Sequence, residues 1–246
     1  MKKFTVSPDW QEEIWYNFKR YKFQFEGHSA WVAIPDTPAG DGRWSWCAQW
    51  AEAFVERVGT LDLLARGFHH AHIDVFDTKC NAEGLEIMRK FHDFLVSCGL
   101  ADKVNLIGMS WGGYFSLRYA TTYPEKIRAI YLDAPVCNAA DPDDSAAERV
   151  ADISRMYNLS IDELKKSELN PLNRIKVLAD YQIPLFIATG EDDQVVKVAT
   201  NINLVEAELK KYNIPYTIIR RPGWGHHPHG FDDRSKLVEF HEAAIK

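Results

Sequence analysis

Ser110 stands in Gly108-Met109-Ser110-Trp111-Gly112-Gly113, a Gly-x-Ser-x-Gly pattern. An apolar stretch, Val104-Asn105-Leu106-Ile107, precedes it, and a helix-forming stretch, Tyr114 to Thr121, follows. That context makes the pattern a nucleophile elbow, a strand reversing into a helix through a strained residue whose hydroxyl projects above a sheet. Small neighbours at Gly108 and Gly112 permit the strain. The new helix aims its unpaired N–H groups at developing negative charge, and the N–H of Trp111 is the expected first oxyanion donor. A serine hydroxyl is a weak nucleophile at neutral pH, so a base and a group to orient it must lie elsewhere in the chain. Three histidines, His226, His227 and His229, crowd one late loop.

The elements that must position these residues read as alternating strand and helix. Phe18 to Phe25 and Ser29 to Ile34 form an opening antiparallel hairpin around Glu26-Gly27-His28. A helix is expected from about Trp46 to Leu64, a strand from Ala71 to Val75, and a helix from Ala82 to Ser97, with Leu85, Met88, Phe91 and Leu95 on one face. After the elbow come strands at Ala129 to Leu132, Leu185 to Ala188 and Thr217 to Ile219. Helices lie around Val198 to Leu209 and Arg234 to Ala244. Such alternation implies an α/β fold with a mostly parallel twisted sheet and helices on both faces, whose ligands bind beyond the carboxyl ends of the strands. One domain over 1–246 is expected, with a small helical lid inserted at 138–180, where Asp141-Pro142-Asp143-Asp144-Ser145 caps a short helix and a second runs from Ser160 to Lys166.

The 246 residues are 46% hydrophobic, enough for a substantial core. With 35 acidic against 29 basic residues and a net charge of -6, no basic stripe invites nucleic acid. Cys47, Cys80, Cys98 and Cys137 are scattered, which suits reduced, half-buried thiols. Met1-Lys2-Lys3-Phe4-Thr5-Val6 lacks the apolar core of a signal peptide, and no apolar run spans a membrane. The chain as given reads as cytoplasmic, with no membrane partner, and an exported precursor is compatible with it. The oligomeric state is left open.

Nearly the whole chain resembles an α/β-hydrolase. The resemblance is carried by Val104 through Gly113, Tyr123-Pro124-Glu125-Lys126, Gly190-Glu191-Asp192-Asp193-Gln194-Val195-Val196 and Pro222-Gly223-Trp224-Gly225-His226-His227-Pro228-His229. The order Ser, Asp, His is that of the fold. The resemblance implies Ser110 as nucleophile, His226, directly after Gly-x-Gly, as base, and Asp193 as the acid orienting it. His227 and His229 are the alternatives for the base. His229 resembles a second histidine that pins the loop, and it is also taken as a substrate contact. Asp192 reads as a turn residue. Asp133 is the alternative acid, otherwise a structural carboxylate accepting loop N–H groups. A Pro-Trp-x-Trp-Arg stretch in one subgroup of esterases and prolyl-oligopeptidase-like hydrolases, often found with polysaccharide-degrading enzymes, resembles Arg43-Trp44-Ser45-Trp46-Cys47. It implies the N–H of Trp44 as second oxyanion donor. Relatives tend to carry Ser-Arg-Gly-Gly where this chain has Ser110-Trp111-Gly112-Gly113, which removes a cation near the pocket.

Trp44, Trp46, Trp111 and Trp224 all lie in loops expected to converge on Ser110, with Trp46 and Trp224 as substrate contacts. Aromatic faces suit a sugar ring or an aromatic acyl group. The expectation is a serine carboxylesterase acting through an acyl-enzyme on a small soluble ester, acetyl or arylacyl (feruloyl-type) on a carbohydrate, with neither metal nor organic cofactor. A peptidase or other serine hydrolase on the same scaffold is the alternative. His70-Ala71-His72-Ile73-Asp74 raises a metal-dependent hydrolase, although Val75 stands where a further histidine would be expected. A non-catalytic ligand-binding member of the fold is the remaining rival.

Overall fold

The computed structural model describes residues 4–245; Met1-Lys2-Lys3, part of the stretch read for an export signal, lies outside them. Nine strands form one sheet: β1 (Gln11–Trp15), β2 (Phe18–Phe25), β3 (His28–Ile34), β4 (Trp44–Cys47), β5 (His69–Ile73), β6 (Val104–Met109), β7 (Ile127–Asp133), β8 (Leu185–Gly190) and β9 (Tyr216–Arg221). Their order is β1-β2-β3-β5-β4-β6-β7-β8-β9. Pairing is antiparallel from β1 to β5 and parallel from β5 through β4 to β9.

Successive residues of the central strands enter opposite cores, as the pleat requires. Trp46, Leu106 and Ile130 pack in one cluster, and Cys47, Ile107 and Tyr131 in the other. The first core is covered by α2 (Ala82–Ser97) and α3 (Trp111–Thr122), the second by α1 (Thr60–Ala65) and α8 (Ser235–Ala243). Burial on both faces is why these strands read as apolar runs. The expected helix α2 forms over its full range, and the Asn81 side chain caps it by accepting the N–H of Gly84 at 2.9 Å.

Two elements differ from expectation. No helix starts at Trp46. Trp44 to Cys47 instead makes the short strand β4, wholly buried, and the chain then turns through positive φ at Trp50 and Phe54 before the short α1. Four residues buried on both faces carry no periodicity, so the apolar spacing of Ala51, Val55 and Val58, which serves the second core, mimics a helix. Strand β1 was not anticipated, because it joins β2 through Tyr16 and Asn17, both at positive φ, without the Asn-Gly signature of such turns. Its inner end is held by Arg20, whose guanidinium sits 4.9 Å from the ring centroids of both Trp15 and Trp31 and pairs with Glu13 and Glu52.

Between β7 and β8 the chain forms α4 (Ala147–Tyr157), α5 (Ile161–Lys166) and α6 (Lys176–Asp180). Ser160 and Glu163 make a capping box at α5. Ile153, Leu164, Ile175 and Leu178 join the first core. At the base of this segment, Asn201, on the turn before α7 (Ile202–Lys211), accepts the N–H of Cys137 at 2.9 Å and donates to Asp141 at 2.7 Å.

Four histidines are built into the cores. Burial pushes His69 and His92 down to about 4, and His70 and His241 down to about 3. These rings fold neutral, whereas unfolded histidine protonates near 6.5. Their contribution is therefore complete above pH 6.5 and is lost as pH falls toward the folded values, by up to ~1.4 kcal/mol per pH unit for each ring. The guanidinium unfolding midpoint is expected to fall steeply between pH 7.5 and 5. A midpoint unchanged over that range would contradict this account of the cores.

Candidate active site

Ser110 ends β6 and caps α3 at φ 49° and ψ −121°, the strained turn expected of an elbow. Neighbouring backbone holds it there: its N–H donates to Asp133 O (3.0 Å), and its carbonyl accepts from Val136 (2.9 Å) and Gly113 (2.9 Å). The glycines are required by close approach. A Cβ on Gly108 would stand 2.7 Å from Gly112 O, and one on Gly113 would stand 2.2 Å from the Pro135 side chain.

Asp193 and His226 arrive on the loops after β8 and β9. A Cβ on Gly190 would lie 2.3 Å from Gly225 O, so these loops touch only because residue 190 has no side chain. Asp192 N–H donates to Trp224 O (2.9 Å), which fixes their mutual register. Asp193 is buried. Its Oδ1 accepts the N–H groups of Val195 (2.8 Å) and Val196 (2.9 Å), and its Oδ2 lies 2.7 Å from His226 Nδ1. Burial by itself would raise the Asp193 carboxyl, but the His226 hydrogen bond and these N–H groups hold it below the usual aspartate value. An ionised carboxylate only accepts, so Nδ1 of His226 carries the proton and Nε2 is the acceptor. Nε2 lies 3.0 Å from Ser110 Oγ. Serine, imidazole and carboxylate thus stand in one hydrogen-bonded line.

His229 and Asp133 form a second imidazole-carboxylate pair behind the first. Asp133 is fully buried at the end of β7. It accepts from His229 Nδ1 (2.9 Å), Gly230 N–H (2.8 Å), Tyr131 OH (2.6 Å) and the Arg221 guanidinium (3.1 Å). Burial opposes its charge, yet His229, Arg221 and Tyr131 together hold the carboxyl below the usual range. The loop is also gripped from the other side, since Arg57 Nε donates to His229 O (2.9 Å) and Phe231 N–H donates to Arg57 O (2.9 Å).

Several expected contacts fall elsewhere. Trp44 opens β4 at the end remote from Ser110, so its backbone N–H is not positioned for an oxyanion, and its indole is spent in the core, donating to Ala101 O (2.9 Å). Trp46 has no exposed surface and packs against Phe91 and Tyr119, so it belongs to the core and touches no substrate. The Trp224 ring carries the Arg221 guanidinium at 4.9 Å, and His229 is buried on Asp133; both brace the loop. His70 is buried against Ser45 Oγ, and His72 Nδ1 meets Cys47 O. Among the described residues, the donor cluster near enough for a metal is His226, His227 and His229, which excludes that pair.

The backbone beside the elbow is Gln49, past the end of β4; its N and O lie 3.3 and 3.2 Å from where a Gly112 Cβ would stand. The aromatic rim also differs from the expected set. Trp111 meets Phe76 edge to face at 5.5 Å, and Phe76 meets Trp50 at 5.0 Å, with Trp50 42% exposed. The Lys79 ammonium lies 3.5 Å from the Phe76 ring centroid. A cleft of about 430 Å³ opens here, lined by Gln49, Trp50, Glu52, His72, Asp74 and Phe76. Trp50 and Phe76 were missed because no motif marks them; the closing of an apolar strand just before Trp50 was the available signal.

The sequence matches the alpha/beta hydrolase fold family over residues 39–160. It is 25% identical over 156 residues to Lipase 1 of Psychrobacter immobilis, covering 48% of this chain and 49% of the lipase. Among solved structures, S-formylglutathione hydrolase from Agrobacterium tumefaciens superposes with a TM-score of 0.68 at 12% identity, covering 96% of each chain. A puromycin-hydrolyzing peptidase of Mycobacterium tuberculosis superposes at 0.69 and 18% identity, over 94% of this chain and 39% of the peptidase. With the nine-stranded sheet and its elbow, these matches show that the chain has the α/β-hydrolase fold. The chain spans about half the length of the curated relatives it matches.

Because Asp133 neutralises Arg221 and receives His229, Asp133→Asn strands a buried cation and is expected to cost about 3–5 kcal/mol at pH 7. The carboxylate contributes fully above its ordinary value of 3.8 and stops contributing as pH falls through its depressed folded value. The gap between wild type and variant should therefore close in acid. Urea unfolding from pH 7 down to 3 measures this; a cost under about 1 kcal/mol at pH 7 would refute the role.

Proposed function

We propose that the protein is a serine carboxylesterase with Ser110 as nucleophile, His226 as general base and then acid, and Asp193 as the orienting carboxylate. The observation that carries this reading is the line from Ser110 Oγ to His226 Nε2 (3.0 Å) and from Nδ1 to Asp193 (2.7 Å), set on a strained elbow. His226 takes the serine proton as Oγ attacks the acyl carbonyl, and Asp193 stabilises the imidazolium that results. The N–H of Trp111 and, in place of Trp44, the N–H of Gln49 receive the oxyanion. His226 then returns the proton to the leaving alcohol, and water releases the acyl group by the reverse path.

The substrate we favour is an acetyl or arylacyl ester of a carbohydrate. Two aromatic faces, Trp50 and Phe76, flank a cleft that also presents the carboxylates of Glu52 and Asp74. Flat apolar faces suit the C–H side of a sugar, and carboxylates accept from its hydroxyls. Of the two, Glu52 is neutralised by Arg20, which leaves Asp74 to disfavour an anionic substrate. Residues 138–180 are read as the insert that walls this side, since the Tyr157 hydroxyl of α4 donates to Cys80 O (2.7 Å) beside Lys79.

Ser110→Ala should lower kcat on p-nitrophenyl acetate by about 10⁶-fold with unchanged circular dichroism. Wild-type turnover in that variant would refute the mechanism. On a panel of acetylated and feruloylated saccharides, Trp50→Ala should raise KM about tenfold, consistent with loss of one stacked ring, while leaving p-nitrophenyl acetate nearly unaffected. Equal indifference of the wild type to every saccharide ester would sink the carbohydrate assignment.

A further inference from the structure

The loop that carries the proposed base holds two more imidazoles than hydrolysis needs. His226, His227 and His229 each offer a ring nitrogen within 4.8 Å of the other two. Their ring centroids are 4.7, 5.0 and 4.9 Å apart, and all three pairs meet near edge to face. Two of the rings are prepared as metal ligands. Asp193 accepts from Nδ1 of His226 and Asp133 accepts from Nδ1 of His229, so in each ring the proton sits on Nδ1 and Nε2 keeps its lone pair. A carboxylate holding the far nitrogen is the arrangement that fixes tautomer and raises basicity in ligating histidines. His229 Nε2 has no hydrogen-bond partner among the described residues, whereas His226 Nε2 is shared only with Ser110 Oγ. The third ring, His227, is the exposed one. Phe54 stacks against it at 5.7 Å and meets His229 edge to face at 5.2 Å, keeping the set together.

We propose that His226, His227 and His229 form an inhibitory site for a divalent transition-metal ion of the zinc class, which silences the hydrolase by taking the lone pair that must accept the Ser110 proton. Three neutral imidazoles with room for a water are a zinc donor set. Histidine nitrogens on one zinc lie about 3.3 Å apart for bonds of about 2.0–2.1 Å; here they lie within 4.8 Å, so zinc has to draw the three rings together, and the exposed His227 is the ring with most room to turn. Hard ions such as magnesium prefer oxygen donors and do not compete for this site. Nor do other soft donors: Cys47, Cys80 and Cys137 are buried, and burial raises their thiols far above the range in which they ionise. His70 is buried and His72 half-buried, each with Nδ1 engaged. The inhibitory effect rests on the serine-hydrolase reading above, but the binding does not.

The test uses chelator-stripped full-length protein and zinc chloride, with bound metal measured by equilibrium dialysis and turnover by p-nitrophenyl acetate. Wild type is expected to bind one zinc per chain and to lose at least about tenfold in rate, reversibly on chelation, while magnesium does neither. His227→Ala should keep its basal rate and circular dichroism but need about tenfold or more zinc for the same occupancy and inhibition. Ser110→Ala should bind zinc as wild type does, which decides the site even if no ester is turned over. Failure of wild type to bind one zinc, or equal zinc affinity in His227→Ala and wild type, would overturn the proposal.

Discussion

Asp133 joins two parts of the molecule that have to agree in position. Its carbonyl receives the N–H of Ser110, and its carboxylate receives His229, Gly230, Tyr131 and Arg221. One residue at the end of β7 therefore sets both the elbow and the loop that brings His226 over it. A buried carboxylate is costly unless charge and hydrogen bonds compensate it, and here four side-chain and backbone donors do so. The expense is matched to geometry, because the 3.0 Å contact between Ser110 Oγ and His226 Nε2 tolerates little drift of the loop that carries His226.

The remaining member of the line is fixed by a different means. Asp193 depends on backbone contact, with Gly190 against Gly225 and Asp192 hydrogen bonded to Trp224. Main-chain approach of this kind leaves no side-chain freedom to adjust, which locks the loops of Asp193 and His226 to each other. Val195 and Val196 then aim two N–H groups at the oxygen of Asp193 that His226 does not use. Each oxygen of the carboxylate has one task, which keeps the imidazole in a single tautomer.

Legibility in the sequence followed the physics of each signal. Helix α2 was readable because one apolar face repeats through four turns, and the elbow because close backbone approach at Gly108 leaves no room for a side chain and Gly112 packs tightly on Gln49 around the strained Ser110. The positions of Ser110, Asp193 and His226 could be expected from residue types and chain order, since each follows a strand. Strand β4 could not be read: its four residues are buried on both sides, so nothing alternates, and indole side chains at Trp44 and Trp46 suit a core as well as a pocket. The error propagated. The backbone that approaches the elbow and the exposed aromatic rings begin only past the end of β4, at Gln49 and Trp50.

That displacement changes how the aromatic residues around Ser110 are understood. Tryptophans early in the strand serve cohesion: Trp44 and Trp46 stack at 5.9 Å beneath α2. Trp50, three residues past the strand, sits at positive φ and carries its ring outward toward Phe76 and Trp111. One backbone turn thus divides a run of similar residues into core and rim. Trp111 links the two, since its N–H opens helix α3 beside Ser110 while its ring meets Phe76. The Lys79 ammonium over Phe76 places a cation on the rim although position 111 itself carries none, and Asp74, which lines a pocket with Lys79, offsets its field. The rim therefore combines ring faces with charges of both signs at close quarters.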